Sequence, residues 1–187
     1  MIQIIIGLII VIIIFVIIGL ILIYNKFQRL KNGSEAGLSQ IKVALKKRLD
    51  MISQLVEIVK SYAKFERQVF ENITRLRSSI GEITTANDIN KINNESKRIL
   101  NNLIAVVESY PNLKASENVK DLMDAITQVE EEIARQRYTY NNIVQEFNTR
   151  VSSIPSNLVA KICSFKKIDY LQFEEEVNKK PNAAWNK

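Results

Sequence analysis

The sequence predicts an all-α protein: an N-terminal transmembrane helix followed by an antiparallel up-and-down four-helix bundle of three long helices and a short fourth. Three observations predict it. Residues Ile4 to Ile23 form an unbroken run of twenty residues without a polar side chain. After Tyr24 the apolar residues recur at spacings of three and four, and no run alternates with the period of a strand. Only five glycines and three prolines occur in 187 residues, and beyond the anchor they are confined to the few places where a helix should stop.

At 1.5 Å per residue the apolar run makes a helix of ~30 Å, the thickness of a bilayer's hydrocarbon core. A cleaved signal peptide would want basic residues before the run and small residues after it. Here no Lys or Arg precedes the run and Tyr24-Asn25-Lys26 follows it, so residues 1–24 read as a permanent anchor. Gly7 and Gly19 are too far apart for a Gly-x-x-x-Gly pairing face. Lys26, Arg29 and Lys31 come next, and their positive charge predicts a short N-terminus outside the cell and a cytoplasmic body.

Residues 25–165 read as the helical bundle. A first long helix is expected from about Ser34 to about Thr84, on the stripe Leu38, Ile41, Leu45, Ile52, Leu55, Val56, Val59, Ala63, Val69, Phe70, Ile73, Leu76, Ile80 and Ile83. Asn32-Gly33 either breaks it from the anchor or lies within one continuous bent helix. The cap-capable cluster Thr84-Thr85-Ala86-Asn87-Asp88 opens a second helix, with Ile89, Ile92, Ile99, Leu103, Val106 and Val107 inward, ending at Tyr110-Pro111. Ser116 is placed to cap a third, running through Ile126, Ile133, Tyr140, Val144, Phe147 and Val151 until Pro155 stops or kinks it. Leu158, Val159, Ile162 and Phe165 fit a short fourth helix closing the bundle, with Cys163 as a small core residue. Residues 166–187, with Glu174-Glu175-Glu176, read as a weakly ordered tail. One-striped helices of this length must pack on one another, within a monomer or in a coiled-coil oligomer, although the drifting heptad disfavours the latter.

Composition excludes many chemistries. The chain has no histidine and one cysteine, which removes the commonest general base, the commonest neutral metal ligand and any internal disulfide. A di-iron bundle needs Glu-x-x-His motifs that are absent. Glu130-Glu131-Glu132 point about 100° apart on a helix and cannot converge on one ion; a solvated face, with Glu131 and Arg135 paired at i,i+4, accounts for them. Arg135, Arg137, Tyr138 and Tyr140 mix basic and aromatic side chains as single-strand binders do, but the adjacent glutamates and the inward turn of Tyr140 argue against nucleic acid.

Basic residues outnumber acidic ones eight to three between Tyr24 and Lys60. Lys26, Arg29 and Lys31 lie close enough to an anionic leaflet to contact headgroups. Lys46, Lys47 and Arg48 would stand roughly 30 Å further out on a projecting helix. There they make a solvated face or a site for an acidic protein partner.

The run Gln40-Ile41-Lys42-Val43-Ala44-Leu45-Lys46-Lys47-Arg48-Leu49-Asp50, continuing through Leu55-Val56-Glu57 and Lys60-Ser61-Tyr62-Ala63, resembles the LemA family of bacterial membrane proteins. So do Val106-Val107-Glu108-Ser109-Tyr110-Pro111-Asn112-Leu113-Lys114-Ala115, Glu132-Ile133-Ala134-Arg135 with Tyr140-Asn141, Phe147-Asn148, and Ile154-Pro155-Ser156-Asn157-Leu158-Val159-Ala160. Leu38 stands where the family usually has tryptophan, and Ser53 where it often has proline. The resemblance implies a membrane-anchored four-helix bundle in the bacterial inner membrane, with no known catalytic activity and no established cofactor. The reading that follows is a non-catalytic structural or protein-interaction module bound to the bilayer through residues 4–23, without cofactor, metal or nucleic acid, its protein partner and oligomeric state unspecified. A lipid-responsive or stress-signalling accessory is the alternative, and an enzyme using carboxylate or tyrosine chemistry a third.

Overall fold

The computed structural model describes residues 1–62 and 67–172, and among these every regular element is helical. They are α1 (Ile2–Val59), α2 (Arg67–Glu82), α3 (Ala86–Ser109), the single turn α4 (Pro111–Lys114), α5 (Glu117–Ser152) and α6 (Ser156–Ile162).

The apolar run and the first helix of the body are one continuous helix of 58 residues, about 87 Å long at 1.5 Å per residue. Asn32-Gly33 does not break it. Packing explains why: a Cβ on Gly33 would lie 3.6 Å from Ile143, and one on Gly37 would lie 3.5 Å from Tyr140. Both glycines face α5 at ordinary packing distance, and burial against α5 supplies what their weak helix propensity lacks. Residues 2–22 are solvent-facing almost throughout, whereas from Phe27 onward every third or fourth residue of α1 is buried.

The expected helix from Ser34 to Thr84 is instead two helices, since α1 stops at Val59 and α2 begins at Arg67. At the end of α1 the Ser61 and Tyr62 amides bond to the Ile58 and Val59 carbonyls three residues back, and residues 63–66, including Ala63 of the expected stripe, lie outside the described residues. A single straight helix would have left the stripe of α2 exposed; turning back buries Ile73, Leu76, Ile80 and Ile83 against α1 and α3. Thr85 caps α3 in a full capping box with Asp88. That carboxyl is held below the ordinary range, first by the Thr85 hydroxyl and then by the Thr84 and Thr85 amides. Ser116 occupies the N-cap of α5, without a side-chain cap bond.

α1 packs against α2, α3, α5 and α6, its interface with α5 being the largest in the body. Lys26 meets Glu146, Gly37 meets Tyr140 and Arg48 meets Glu130, so rising numbers on α1 meet falling numbers on α5. A second, smaller core lies nearer the apolar end, where Phe27 and Leu30 meet Phe147, Val159 and Ala160.

Three expectations at the C-terminus require correction. Leu158 and Ile162 do not close the core; on the short α6, Ser156, Val159 and Ala160 are buried, with Phe165 packed beside the two apolar ones. Cys163 is exposed at the end of α6 for the same reason. Residues 166–172 are not a loose tail but a strap laid against α5, while 173–187, including Glu174 to Glu176, lie outside the described residues.

Leu171 is 1% exposed within the main core. Around it the hydrogen bonds run from helix side chains to strap backbone. Asn141 donates to the Leu171 carbonyl and accepts from its amide, both at 2.9 Å, and Asn148 does the same for Ile168 at 2.8 and 2.9 Å. Asn90 accepts from the Gln172 amide at 3.3 Å, Arg137 donates to the Gln172 carbonyl, and the Tyr140 hydroxyl donates to the Asp169 carbonyl at 3.1 Å.

Burial, reinforced by the Asp169 charge, pushes the Tyr140 phenol up to about 12. The folded state therefore keeps a proton that the unfolded chain releases near its ordinary value of about 10. This contribution is complete below about pH 10 and is lost as pH rises through about 12. Denaturation of the detergent-solubilised chain should show stability falling across that window, and Tyr140→Phe should flatten the fall while costing about 0.5–1.5 kcal/mol at neutral pH. An unchanged alkaline slope in Tyr140→Phe would show that this residue is not its source.

Candidate functional site

The basic segment after the apolar run is split by helix geometry. Because successive residues turn by ~100°, the face of α1 that meets the body takes Phe27, Leu30, Ser34, Gly37, Ile41, Ala44, Leu45 and Arg48. Arg29 and Lys31 point away, exposed and without an ion pair among the described residues. Lys26 is instead engaged by the body, with its Nζ 2.8 Å from Glu146 Oε1. Arg150 reaches the same oxygen at 3.2 Å. The Lys26 hydrogen bond, helped by Arg150 and opposed by burial, holds the Glu146 carboxyl below the ordinary range.

Lys46, Lys47 and Arg48 do not form one surface. Lys46 is exposed, without an ion pair among the described residues, and Lys47 pairs with Glu132 at 3.2 Å. Arg48, expected on a solvated face, is 0% exposed and unavailable to a partner. Its position shows why: it follows Ile41 by seven residues and precedes Ile52 by four, squarely on the apolar stripe.

Arg48 is the centre of a buried polar junction of three helices. It donates to Glu130 Oε1 of α5 at 2.7 Å and, on α3, to Asn93 Oδ1 at 2.9 Å, the Asn93 carbonyl at 3.2 Å and Ser96 Oγ at 2.8 Å. Ser96 in turn donates to the Ile92 carbonyl at 2.5 Å. Glu130 is thus tied to a buried cation rather than merely solvated, whereas Glu131 and Arg135 make the expected exposed i,i+4 pair at 3.5 Å. Arg137 is buried against the strap, apart from exposed Tyr138. Among the described residues no group of three His, Cys, Asp or Glu is placed to hold a metal ion.

The polar residues missed in the sequence share one signal. Asn93 and Ser96 sit four and seven residues after Ile89, and Asn141 and Asn148, seven apart, directly follow the stripe residues Tyr140 and Phe147. Each is a polar residue on an apolar stripe, and each is buried and hydrogen-bonded.

The LemA family model matches residues 37–184, which takes in the Arg48 junction, the strap and α6. This chain belongs to the LemA family. Among its LemA-family relatives, Protein LemA of Metamycoplasma hominis is 27% identical, over 81% of this chain and 69% of its own length. Magnetosome protein MamQ 2 of Paramagnetospirillum magneticum is 24% identical, over 80% of this chain. Magnetosome protein MamQ of Magnetospirillum gryphiswaldense is 22% identical, over 79% of this chain. The LemA-family chain described here spans 64% of the length of these two magnetosome relatives.

The Arg48 junction predicts an asymmetric mutational result. Removing Glu130 strands a buried cation, whereas replacing both partners with apolar residues does not. Glu130→Met alone should cost about 1–3 kcal/mol, given the partial exposure of its side chain. Arg48→Met with Glu130→Met should cost less than Glu130→Met alone, as read in urea denaturation. Additive losses in the double variant would show that the pair is not coupled.

Proposed function

We propose that this LemA-family chain is a non-catalytic, single-span protein of the bacterial plasma membrane. The side that precedes the span faces outside, and the cytoplasmic body, an antiparallel up-and-down bundle, serves as a structural or protein-interaction module. The observation that carries this reading is the division of α1, apolar and exposed in its first part and the spine of the body in the rest. An exposed apolar stretch of this length is costly in water and at home in hydrocarbon. Because the same helix continues into the core, membrane and body are joined without a flexible linker.

Arg29 and Lys31 are the residues free to meet anionic headgroups, with Lys26 committed to Glu146. Lys46 offers an exposed charge to an acidic protein partner, and Lys47 can do so only by giving up Glu132.

Protease treatment of intact cells should leave the body undigested, and its loss would overturn the cytoplasmic placement. In-cell cross-linking of the full-length protein with mass spectrometry should then recover a recurrent protein partner that Lys46→Glu with Lys47→Glu weakens. Recovery of self-contacts and lipid alone would overturn the interaction-module reading.

A further inference from the structure

A second apolar surface lies where α1 leaves its exposed stretch and enters the body. Leu158 and Ile162 stand one helical turn apart on α6, 59% and 81% exposed, and Ile154 in the preceding turn is 84% exposed. The opposite side of α6, Val159 and Ala160, is already buried against Phe27, Leu30 and Phe147. This helix is therefore apolar on two sides, and the body uses one.

The position of α6 indicates what covers the other. Ile23, where α1 passes from exposed to half-buried, lines one cleft with Ile154, Pro155 and Ser156. Beyond the far end of α6, Phe165 stacks on Phe27 with ring centres 4.8 Å apart and lies 6.0 Å from Tyr24. Both ends of the 154–165 segment thus sit at the level of residues 23–27, just past the apolar run, so α6 lies across α1 at that level. The charge agrees: between Phe147 and Ile168 the chain carries Arg150, Lys161, Lys166 and Lys167 and no acidic residue. Lys161, Lys166 and Lys167 are all exposed.

We propose that α6 is a second membrane contact, seating Ile154, Leu158 and Ile162 in the interfacial layer of the bilayer that α1 spans, with Lys161, Lys166 and Lys167 at anionic headgroups. Apolar side chains flanked by lysines are the composition of an interfacial helix. The inference rests on the reading of α1 as a membrane span, because that reading sets the level of the lipid surface. Its consequence is mechanical. A span alone leaves the body free to tilt and rotate, whereas a span with a lateral foot fixes its attitude.

Cys163, the one cysteine of the sequence, is exposed at the end of α6 and provides the probe. The full-length protein, labelled there with an environment-sensitive fluorophore, is reconstituted into phosphatidylcholine–phosphatidylglycerol vesicles. Lipids carrying a quencher near the headgroup should quench the label strongly, and aqueous iodide weakly. Leu158→Glu with Ile162→Glu, both at exposed positions, should reverse that order while leaving the circular dichroism and alkaline-carbonate resistance of the protein unchanged. Lys161→Glu with Lys166→Glu and Lys167→Glu should remove the dependence on phosphatidylglycerol. If the protein stays in the carbonate-washed membrane while the label quenches as in water, the α6 assignment is overturned and the anchor stands. If carbonate extracts the protein, the anchor reading fails as well. Shielding that appears only as protein density in the vesicle rises would assign the face to a second copy and overturn the lipid assignment.

Discussion

On the proposed reading of its apolar stretch as a membrane span, one helix has to satisfy two solvents, and the remaining architecture follows from that constraint. The outer part of α1 is apolar on every side, as hydrocarbon requires, while its inner part is apolar on one stripe and polar elsewhere. The change occurs within a few residues of Ile23, without an interruption of the backbone. Every long element of the body then buries its own stripe against α1 or against a helix already packed on it. Gly33 and Gly37 belong to this scheme as positions packed against α5, rather than as a hinge.

Buried polar groups add register to this apolar packing. Hydrophobic stripes allow helices to slide by a turn at modest cost, whereas a guanidinium with no exposure accepts few arrangements of partners. Arg48 fixes α1 against both α3 and α5 through Asn93, Ser96 and Glu130. Asn141 and Asn148 do the corresponding work at the other end of α5, each holding both backbone groups of one strap residue. The strap has no helix or strand to satisfy its own amides, so these side chains supply its hydrogen bonds, and Leu171 its apolar hold.

The helical class, the apolar span, the Thr85 cap and the end of α5 before Pro155 were legible in the sequence because each rests on local chemistry. The turn after Val59 was not, since the three-and-four spacing continues through it and only tertiary burial of Ile73, Leu76 and Ile80 demands a reversal. Arg48 was misplaced because its type outweighed its position: a basic triplet reads as surface, yet its third member lies on the stripe. The strap was misread for the opposite reason. Lys166 to Gln172 carries no periodic signal, and its order comes from asparagines twenty to thirty residues upstream. Ile162 was assigned inward from the apolar pattern of a short helix and Cys163 from its apolar neighbours, although α6 buries one face, Ser156, Val159 and Ala160.

The central claim is that the apolar span and the spine of the body are one uninterrupted helix, and a distance across the junction tests it most directly. With Cys163 replaced by serine, spin labels at the exposed positions Leu22 and Glu35 bracket Asn32-Gly33. In lipid nanodiscs, pulsed dipolar spectroscopy should return a single narrow distribution within roughly 20–30 Å, the rise of thirteen helical residues plus the reach of two labels on nearly opposite faces. A broad distribution, or one centred well away from that range, would show a joint between span and body and contradict the account.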